Sequence, residues 1–462
     1  MRKKASAKRK APAKKKSLPT RKATAKKKAA KRKATVRKKV RASAAALPAE
    51  YNMLLTATLC LLAFGAVMIF SASSTTRVLS DGGLSDSAFY LKRTLMFGIV
   101  GLVVMHLVAR HGLVLVRRLT PAILALSFFL LFAVLVAGTT VNGSSRWLGS
   151  GFLQIQPSEL AKVALILYGA DLLANKTKRE LTLQAVMPFL LVAGLAAMLI
   201  VAEPDLGTTM VVAFAVAAML VAAGVRIRDL ALVGLVLACF GLLMTLIEPY
   251  RMARLTAFLD PGADASGAGF QAAQAKIALG SGGLFGVGIG NGVQKAFYLP
   301  EAHTDMISAV IGEELGLVGI VGVVGLFSLF GYAGLRIAQR AKDRYGKLLV
   351  AGLTSLVLVQ ATINLFAVMG LAPLTGVPLP FVSYGNSSLL TTLFAVGLIL
   401  NVARGGTGGA GKLRLVEGGR SRAPTKGRSR SSGARSRKSG GGGGRNSRTR
   451  RAGHGGRRRA SG

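Results

Sequence analysis

The chain has 462 residues, 51% of them hydrophobic, with 57 glycines and a formal net charge of +43. Its apolar residues fall into roughly ten runs of the length a lipid-spanning helix needs, about 20 residues, which excludes an ordinary soluble domain. The charge is uneven: Arg2 to Arg41 and Arg404 to Arg459 hold most of the Lys and Arg, and the middle is nearly neutral, so any nucleic-acid affinity is confined to the ends.

Residues 1–46 form a Lys/Ala/Arg tail containing Pro12 and Pro19. Such a composition cannot bury enough apolar area to offset its ordering entropy, so disorder is expected. No cleavable signal peptide is visible, and Tyr51 to about Ala72 is expected to be an uncleaved first span. A second span is predicted near 93–109, a third near 119–138 after the basic turn 110–118, and a fourth near 157–174. Pro157 suits the first turn of that helix and Glu159 its positive end. A fifth span is predicted near 186–202, a sixth ends near Val225 after the turn EPDLGT, and a seventh covers about 229–247.

The connection from Glu248 to Asp305 is too long for a passive loop and too broken by glycine for an ordinary span. It reads as short amphipathic or re-entrant helices packed over one face. The eighth span, near 305–336, carries glycines at 312, 316, 319, 322 and 325, which permit close helix approach. A ninth near 348–371 and a tenth ending at Ala403 complete an all-α polytopic domain over 47–404, followed by a Gly/Ser/Arg-rich tail over 405–462. Alternate loops divide sharply in Lys and Arg, which predicts that both tails are cytoplasmic and that the 298–316 stretch faces outward. Cys60 and Cys239 sit in apolar runs without CxxC or a His neighbour, so neither a disulfide framework nor a zinc site is supported.

The stretch YLPEAHTDMISAVIGEELG at 298–316 crowds ionisable residues at the mouth of the eighth span. Charges in hydrocarbon cost at least a few kcal/mol unless they face protein or water. Glu301, His303 and Asp305 therefore point to function, against the alternative that Asp305 only favours a helix N-terminus. Glu313 and Glu314, two to three turns deeper, are expected to hold the span to its neighbours. Trp147, the single tryptophan, is either an interfacial anchor or a platform beside a sugar. Glu159 and Lys162, three apart on one helical face, are either a mutually neutralising pair or place a cation for phosphate. Glu203 and Asp205 read as a cap for the sixth span. The run GSGGLFGVGIG lacks the Lys-Ser/Thr ending and preceding strand of a phosphate loop, and reads as a hinge with close packing.

Taken together, SSRWLG at 144–149, IQPSELAK at 155–162, EPDLGT at 203–208, IALGSGGLFGVGIG at 277–290, FYLPEAHTDMISAVIGEELGLVG at 297–319 and PLPFVSYGNSS at 378–388 resemble the SEDS family (shape, elongation, division and sporulation). The resemblance covers about residues 50–403 with every block in order, and EAHTD followed by IGEELG looks more like its division branch, FtsW, than its elongation branch, RodA. Glu203, Met306 and Asn386 stand where the family usually has Gln, Phe and Gly, and Glu203 adds a negative charge beside Asp205.

The resemblance implies polymerisation of lipid II into a growing glycan strand at the outer face of the cytoplasmic membrane, with inversion at the anomeric carbon. It implies Asp305 as general base and Arg146, Trp147, Glu159, Lys162, Glu301, His303, Thr304 and Ser383 at the substrate. Lys162, Arg146 or a divalent cation (Mg or Mn) are candidates to stabilise the leaving pyrophosphate; no residue is assigned as a metal ligand. Implied partners are a single-span class B penicillin-binding transpeptidase, docked on the glycine-lined eighth and ninth spans, and other division proteins. The alternative is a lipid II flippase, with Lys162, Glu313 and Glu314 lining a polar path. The tails are expected to bind anionic lipids, with nucleic acid as the competing partner.

Overall fold

The computed structural model describes residues 47–80, 87–141, 144–149, 154–177, 181–260, 268–299 and 301–406, and the tail segments 1–46 and 407–462 lie outside them. The helices are α1 (Ala49–Ser80), α2 (Phe89–Ala137), α3 (Pro157–Ala174), α4 (Leu183–Ala202), α5 (Leu206–Ala223) and α6 (Ile227–Ile247). They continue as α7 (Pro249–Leu259), α8 (Ala268–Ser281), α9 (Gln294–Phe297), α10 (Ile307–Arg340), α11 (Arg344–Val368) and α12 (Asn386–Ala403). A small antiparallel hairpin, β1 (Thr139–Val141) with β2 (Ser144–Trp147), pairs Thr139 with Trp147. The predicted short helices of the 248–305 connection are α7, α8 and α9.

Eight of these helices are long and apolar enough to cross a membrane. Two particulars reconcile that number with ten predicted spans. The 18 residues of α3 include Glu159, Lys162 and Asp171, too many charges for an apolar span by composition, yet each is paired: Lys162 with Glu159 at 2.9 Å and Asp171 with Arg117 at 2.6 Å.

The second particular is α2. As a straight rod its 49 residues would extend about 74 Å, more than twice the hydrocarbon thickness. Its start and the hairpin after its end nevertheless meet the same face: Tyr90 packs on His303 with ring centroids 4.2 Å apart, and Arg146 of β2 bonds to the Glu203 carbonyl at 3.3 Å. Its middle lies at the far end of α12, where Asn401 donates to the carbonyls of Val108 (2.9 Å) and Ala109 (3.2 Å). The segment therefore doubles back around the basic residues 110–118, and its two arms are the predicted second and third spans.

A glycine-rich loop and a broken helix complete one another at α10. Gly316 takes φ 65° and ψ −158°, which L side chains rarely adopt, and interrupts the helical ladder. The loop after α8 satisfies the freed backbone: Val287 and Gly288 donate to the carbonyls of Glu313 and Glu314 at 3.0 Å, while Leu317 and Val318 donate to Gly283 and Leu284 at 3.0 and 3.2 Å. The carboxylates below the break anchor the same segment. Glu313 Oε1 accepts the backbone N–H groups of Val293 (2.7 Å) and Gln294 (3.1 Å) at the start of α9. Glu314 pairs with Lys295 at 2.5 Å and accepts from Ser71 of α1 at 2.7 Å. Both glutamates thus hold α10 to its neighbours, and the GSGGLFGVGIG run is a close-packing loop.

The face opposite Asp305 is rich in cations. Arg404 donates to Tyr51 at 2.7 Å, Arg340 pairs with Glu50, and Arg344 reaches the Ala223 carbonyl. The contact between Arg404 and Tyr51 brings the roots of both tail segments together on that face.

Candidate active site

The site is assembled where several helix ends meet. The hairpin supplies Arg146, the turn between α4 and α5 supplies Glu203 and Asp205, α7 supplies Arg254, and the turn 301–306 supplies Asp305 immediately before α10. The segment 369–385, between α11 and α12, closes it.

Gly376 in that segment has φ 70°, and a Cβ there would stand 3.8 Å from Asp305 Oδ2 and 4.0 Å from the Nη1 atoms of both Arg146 and Arg254. One carboxylate and two guanidiniums therefore converge on a single point that only a hydrogen atom occupies. Asp305 is half-buried, and Thr304 Oγ1 donates to its Oδ1 at 3.1 Å. Burial raises its pKa above the usual 3.8; the Thr304 bond and the Arg254 charge oppose the rise, and Glu301 adds to it. Such a carboxyl is a better proton acceptor than an exposed aspartate.

Arg146 is fixed by the turn it faces: its guanidinium donates to the carbonyls of Glu203 (3.3 Å) and Pro204 and approaches Asp205 at 3.9 Å. Arg254 donates to the Leu374 carbonyl at 2.9 Å and walls a cavity of about 330 Å³. Lys276, Gln271, Phe258, Ala367 and Leu374 also line this cavity, giving it cationic and apolar walls.

The other predicted residues divide. Glu301 is exposed and lies 3.9 Å from His303, whose ring packs at a tilt against Tyr90 and Tyr384 at centroid distances of 4.2 and 5.6 Å, in one cluster with the two tyrosines. The Thr304 hydroxyl also lies 2.9 Å from the Glu301 carbonyl, so its single O–H is shared between the turn and Asp305. Trp147 is half-buried, its carbonyl accepting from Thr139 at 3.1 Å. Ser383 is turned into its own loop, accepting from the Leu379 N–H at 2.8 Å.

Glu159 and Lys162 are both 3% exposed. They pair with each other, and Lys162 also donates to Gln360 at 2.7 Å. Both lie away from the cavity of Arg254 and line a smaller pocket with Gln360, where their contacts form the mutual pair.

Asp205 caps α5, accepting from the Thr208 N–H at 3.0 Å. Glu203 departs from its sequence reading. The residue is 1% exposed, and neither carboxyl oxygen has a hydrogen-bond partner among the described residues. Burial first, then the neighbouring Asp205 charge, push its pKa up to about 8, against the pull of Arg146. At neutral pH it is therefore largely a neutral acid and adds little negative charge beside Asp205.

Among the described residues no group of three or more His, Cys, Asp or Glu side chains is placed to hold a metal ion. The groups converging with Asp305 are guanidiniums, a poor donor set for a divalent cation.

Nothing in the sequence marks Arg254, Lys276 or Gly376 as part of a site. The first two sit in a connection whose charges nearly balance, and only the folding of α7 and α8 brings their side chains to one cavity.

The fold is a many-span helical bundle that carries, on one face, a carboxylate and two guanidiniums beside a cavity walled by Arg254 and Lys276, the architecture of a polytopic membrane protein with a polar site at one end. The FtsW/RodA/SpoVE family model, described as a cell cycle protein, matches residues 51–407, and the chain belongs to that family. It is 41% identical over 361 residues to the "Probable peptidoglycan glycosyltransferase FtsW" of Trichlorobacter lovleyi, covering 77% of this chain and 94% of that one. It is 40% identical over 355 residues to stage V sporulation protein E of Bacillus subtilis, covering 76% and 96%. Among solved structures, it resembles a chain of a peptidoglycan synthase complex described as coordinating polymerization and crosslinking (TM-score 0.62, 28% identity, covering 76% and 96%). It also resembles the rod shape determining protein RodA of Thermus thermophilus (TM-score 0.56, 29% identity, covering 76% and 95%).

Proposed function

We propose that this protein is a peptidoglycan glycosyltransferase that polymerises lipid II during cell division, with Asp305 as general base. The observation that carries the reading is the convergence of Asp305, Arg146 and Arg254 on Gly376 beside the cationic cavity. The sugar 4-hydroxyl gives its proton to the Asp305 carboxylate while its oxygen bonds to the anomeric carbon. The anomeric C–O bond breaks, and its electron pair leaves with the pyrophosphate. Attack opposite the leaving group inverts the anomeric centre. A pyrophosphate needs no proton to depart, so one carboxylate suffices where a glycosidase needs two. Arg254, Arg146 and Lys276 supply positive charge where the leaving group develops negative charge.

The cations on the face of Arg404 and Arg340 support a cytoplasmic position for both tails and an outward position for Asp305. Anionic headgroups are the favoured ligand of the tail segments, ahead of nucleic acid. The resemblance to a synthase complex supports a penicillin-binding transpeptidase as partner. At Gly322 and Gly325 on α10 an added Cβ would meet no atom within 4 Å, which leaves room for the partner's single helix. A flippase role has less support, because Lys162, Glu313 and Glu314 are each engaged in local contacts rather than lining a path. The test is polymerisation of labelled lipid II by purified protein: Asp305→Asn abolishes strand formation at normal expression, and polymer from that variant rejects Asp305 as base.

A further inference from the structure

Asn364 lies near the C-terminal end of α11, 2% exposed, and its amide serves three partners. Nδ2 donates to the carbonyl of Asp305 at 2.8 Å and to the carbonyl of Val377 at 2.8 Å. Oδ1 accepts from the Ser308 hydroxyl at 2.6 Å. A carboxamide has two N–H donors, and here both are spent on main-chain carbonyls of different segments. One carbonyl belongs to Asp305 itself, directly before the Met306 cap of α10. The other is next to Gly376, the point at which Asp305, Arg146 and Arg254 converge.

We propose that Asn364 is a positioning residue for glycosyl transfer: one side chain ties the Asp305 turn to the Val377 segment and so sets the spacing between the carboxylate and the two guanidiniums. The proposal rests on the reading of Asp305 as base. Only an amide meets these demands. Leucine has a similar shape but no donor, and an ionised aspartate would aim oxygen at two carbonyl oxygens.

The experiment compares full-length wild-type protein with Asn364→Leu, Asn364→Asp and Asp305→Asn in lipid II polymerisation, reading kcat and KM from acid to alkaline pH alongside thermal melting. The expected result for Asn364→Leu is a kcat lower by about 100-fold, the scale of a misplacement near 1 Å, with KM little changed. The aspartate at 364 regains one O–H donor only when protonated, so its kcat relative to wild type rises as pH falls, whereas the leucine ratio stays flat. Arg146, Arg254, Glu301 and His303, the charged and titratable groups around Asp305, are common to all the proteins compared at position 364, so that ratio reports position 364.

If Asn364→Leu does not fold, the pH trend of Asn364→Asp decides alone. Wild-type turnover in the Asn364 variants overturns the proposal. So does a loss that only tracks the melted fraction, with no pH trend for the aspartate. Polymer from Asp305→Asn rejects the base reading instead, whatever the Asn364 variants do.

Discussion

Asp305 Oδ2 and Arg254 Nη1 approach one point from two walls of the site, 3.8 and 4.0 Å from where a methyl on Gly376 would stand. Arg254 does two things there: it walls the cavity, and its charge holds down the pKa of an Asp305 carboxyl that burial raises. Arg254→Met removes both effects. The expected outcome is a loss of about 10²–10³ in kcat, as for removal of one oriented transition-state donor. The acid limb of the rate profile also moves to higher pH, because the lost cation had favoured the ionised base. Lipid II polymerisation measured across pH checks both; an unmoved acid limb separates Arg254 from Asp305.

Asp305 and its turn were legible in the sequence because a charge at the mouth of an apolar helix is costly and therefore conspicuous. The ten membrane-length segments were legible for a similar reason, as apolar run length reports hydrocarbon thickness directly. Which side chains converge was not legible. Arg254 and Lys276 share a cavity through helix packing, without any spacing in the chain, and the spacing of Glu159 and Lys162 leaves a mutual pair and a cation for phosphate equally open, whereas the added contact with Gln360 comes only from packing. The neutral state of Glu203 was hidden too, since it depends on burial and on Asp205 rather than on residue type.

Glu203 gives a pH prediction with a definite sign. Unfolded, its carboxyl titrates near 4.5; folded, it holds its proton to about 8. Between those values the folded protein binds more protons, so stability falls as pH rises. The contribution is fully present below about 4.5 and is lost as pH passes about 8. Glu203→Gln mimics the neutral acid and removes this dependence. Its melting temperature should match wild type in acid and exceed it increasingly toward alkaline pH; parallel melting curves across that range would show that Glu203 titrates normally.

The buried pair of Lys295 and Glu314, 1% and 0% exposed at their side chains, predicts non-additive stability. Lys295→Met leaves the Glu314 carboxylate buried with only Ser71 as its described partner, at a cost of about 3–5 kcal/mol for a broken buried pair. Converting both, Lys295→Met with Glu314→Gln, removes the stranded charge, so the double variant should melt higher than Lys295→Met alone. Thermal melting of the three purified variants is the check. A double variant as unstable as the sum of the two singles would mean that the charges do not interact.

The glycines of α10 do unlike work, which a matched pair of substitutions separates. At Gly316 a Cβ would run into the Gly286 nitrogen and lie 2.7 Å from the Leu284 carbonyl, at a backbone angle already unfavourable to L residues. Gly316→Ala must push the glycine loop off the break and strand backbone groups that now pair across it. Backbone strain and unsatisfied groups together predict a loss of roughly 3 kcal/mol or more. At Gly322 a Cβ meets nothing within 4 Å, so Gly322→Ala gains up to about 1 kcal/mol of helix propensity. Melting of the isolated protein should therefore fall for the first variant and hold or rise for the second. If a partner helix packs at the open glycine, Gly322→Ala also weakens co-purification with the transpeptidase while Gly316→Ala, in whatever fraction stays folded, leaves that surface intact. Equal melting losses at the two positions would show that the break at Gly316 is not held by its loop.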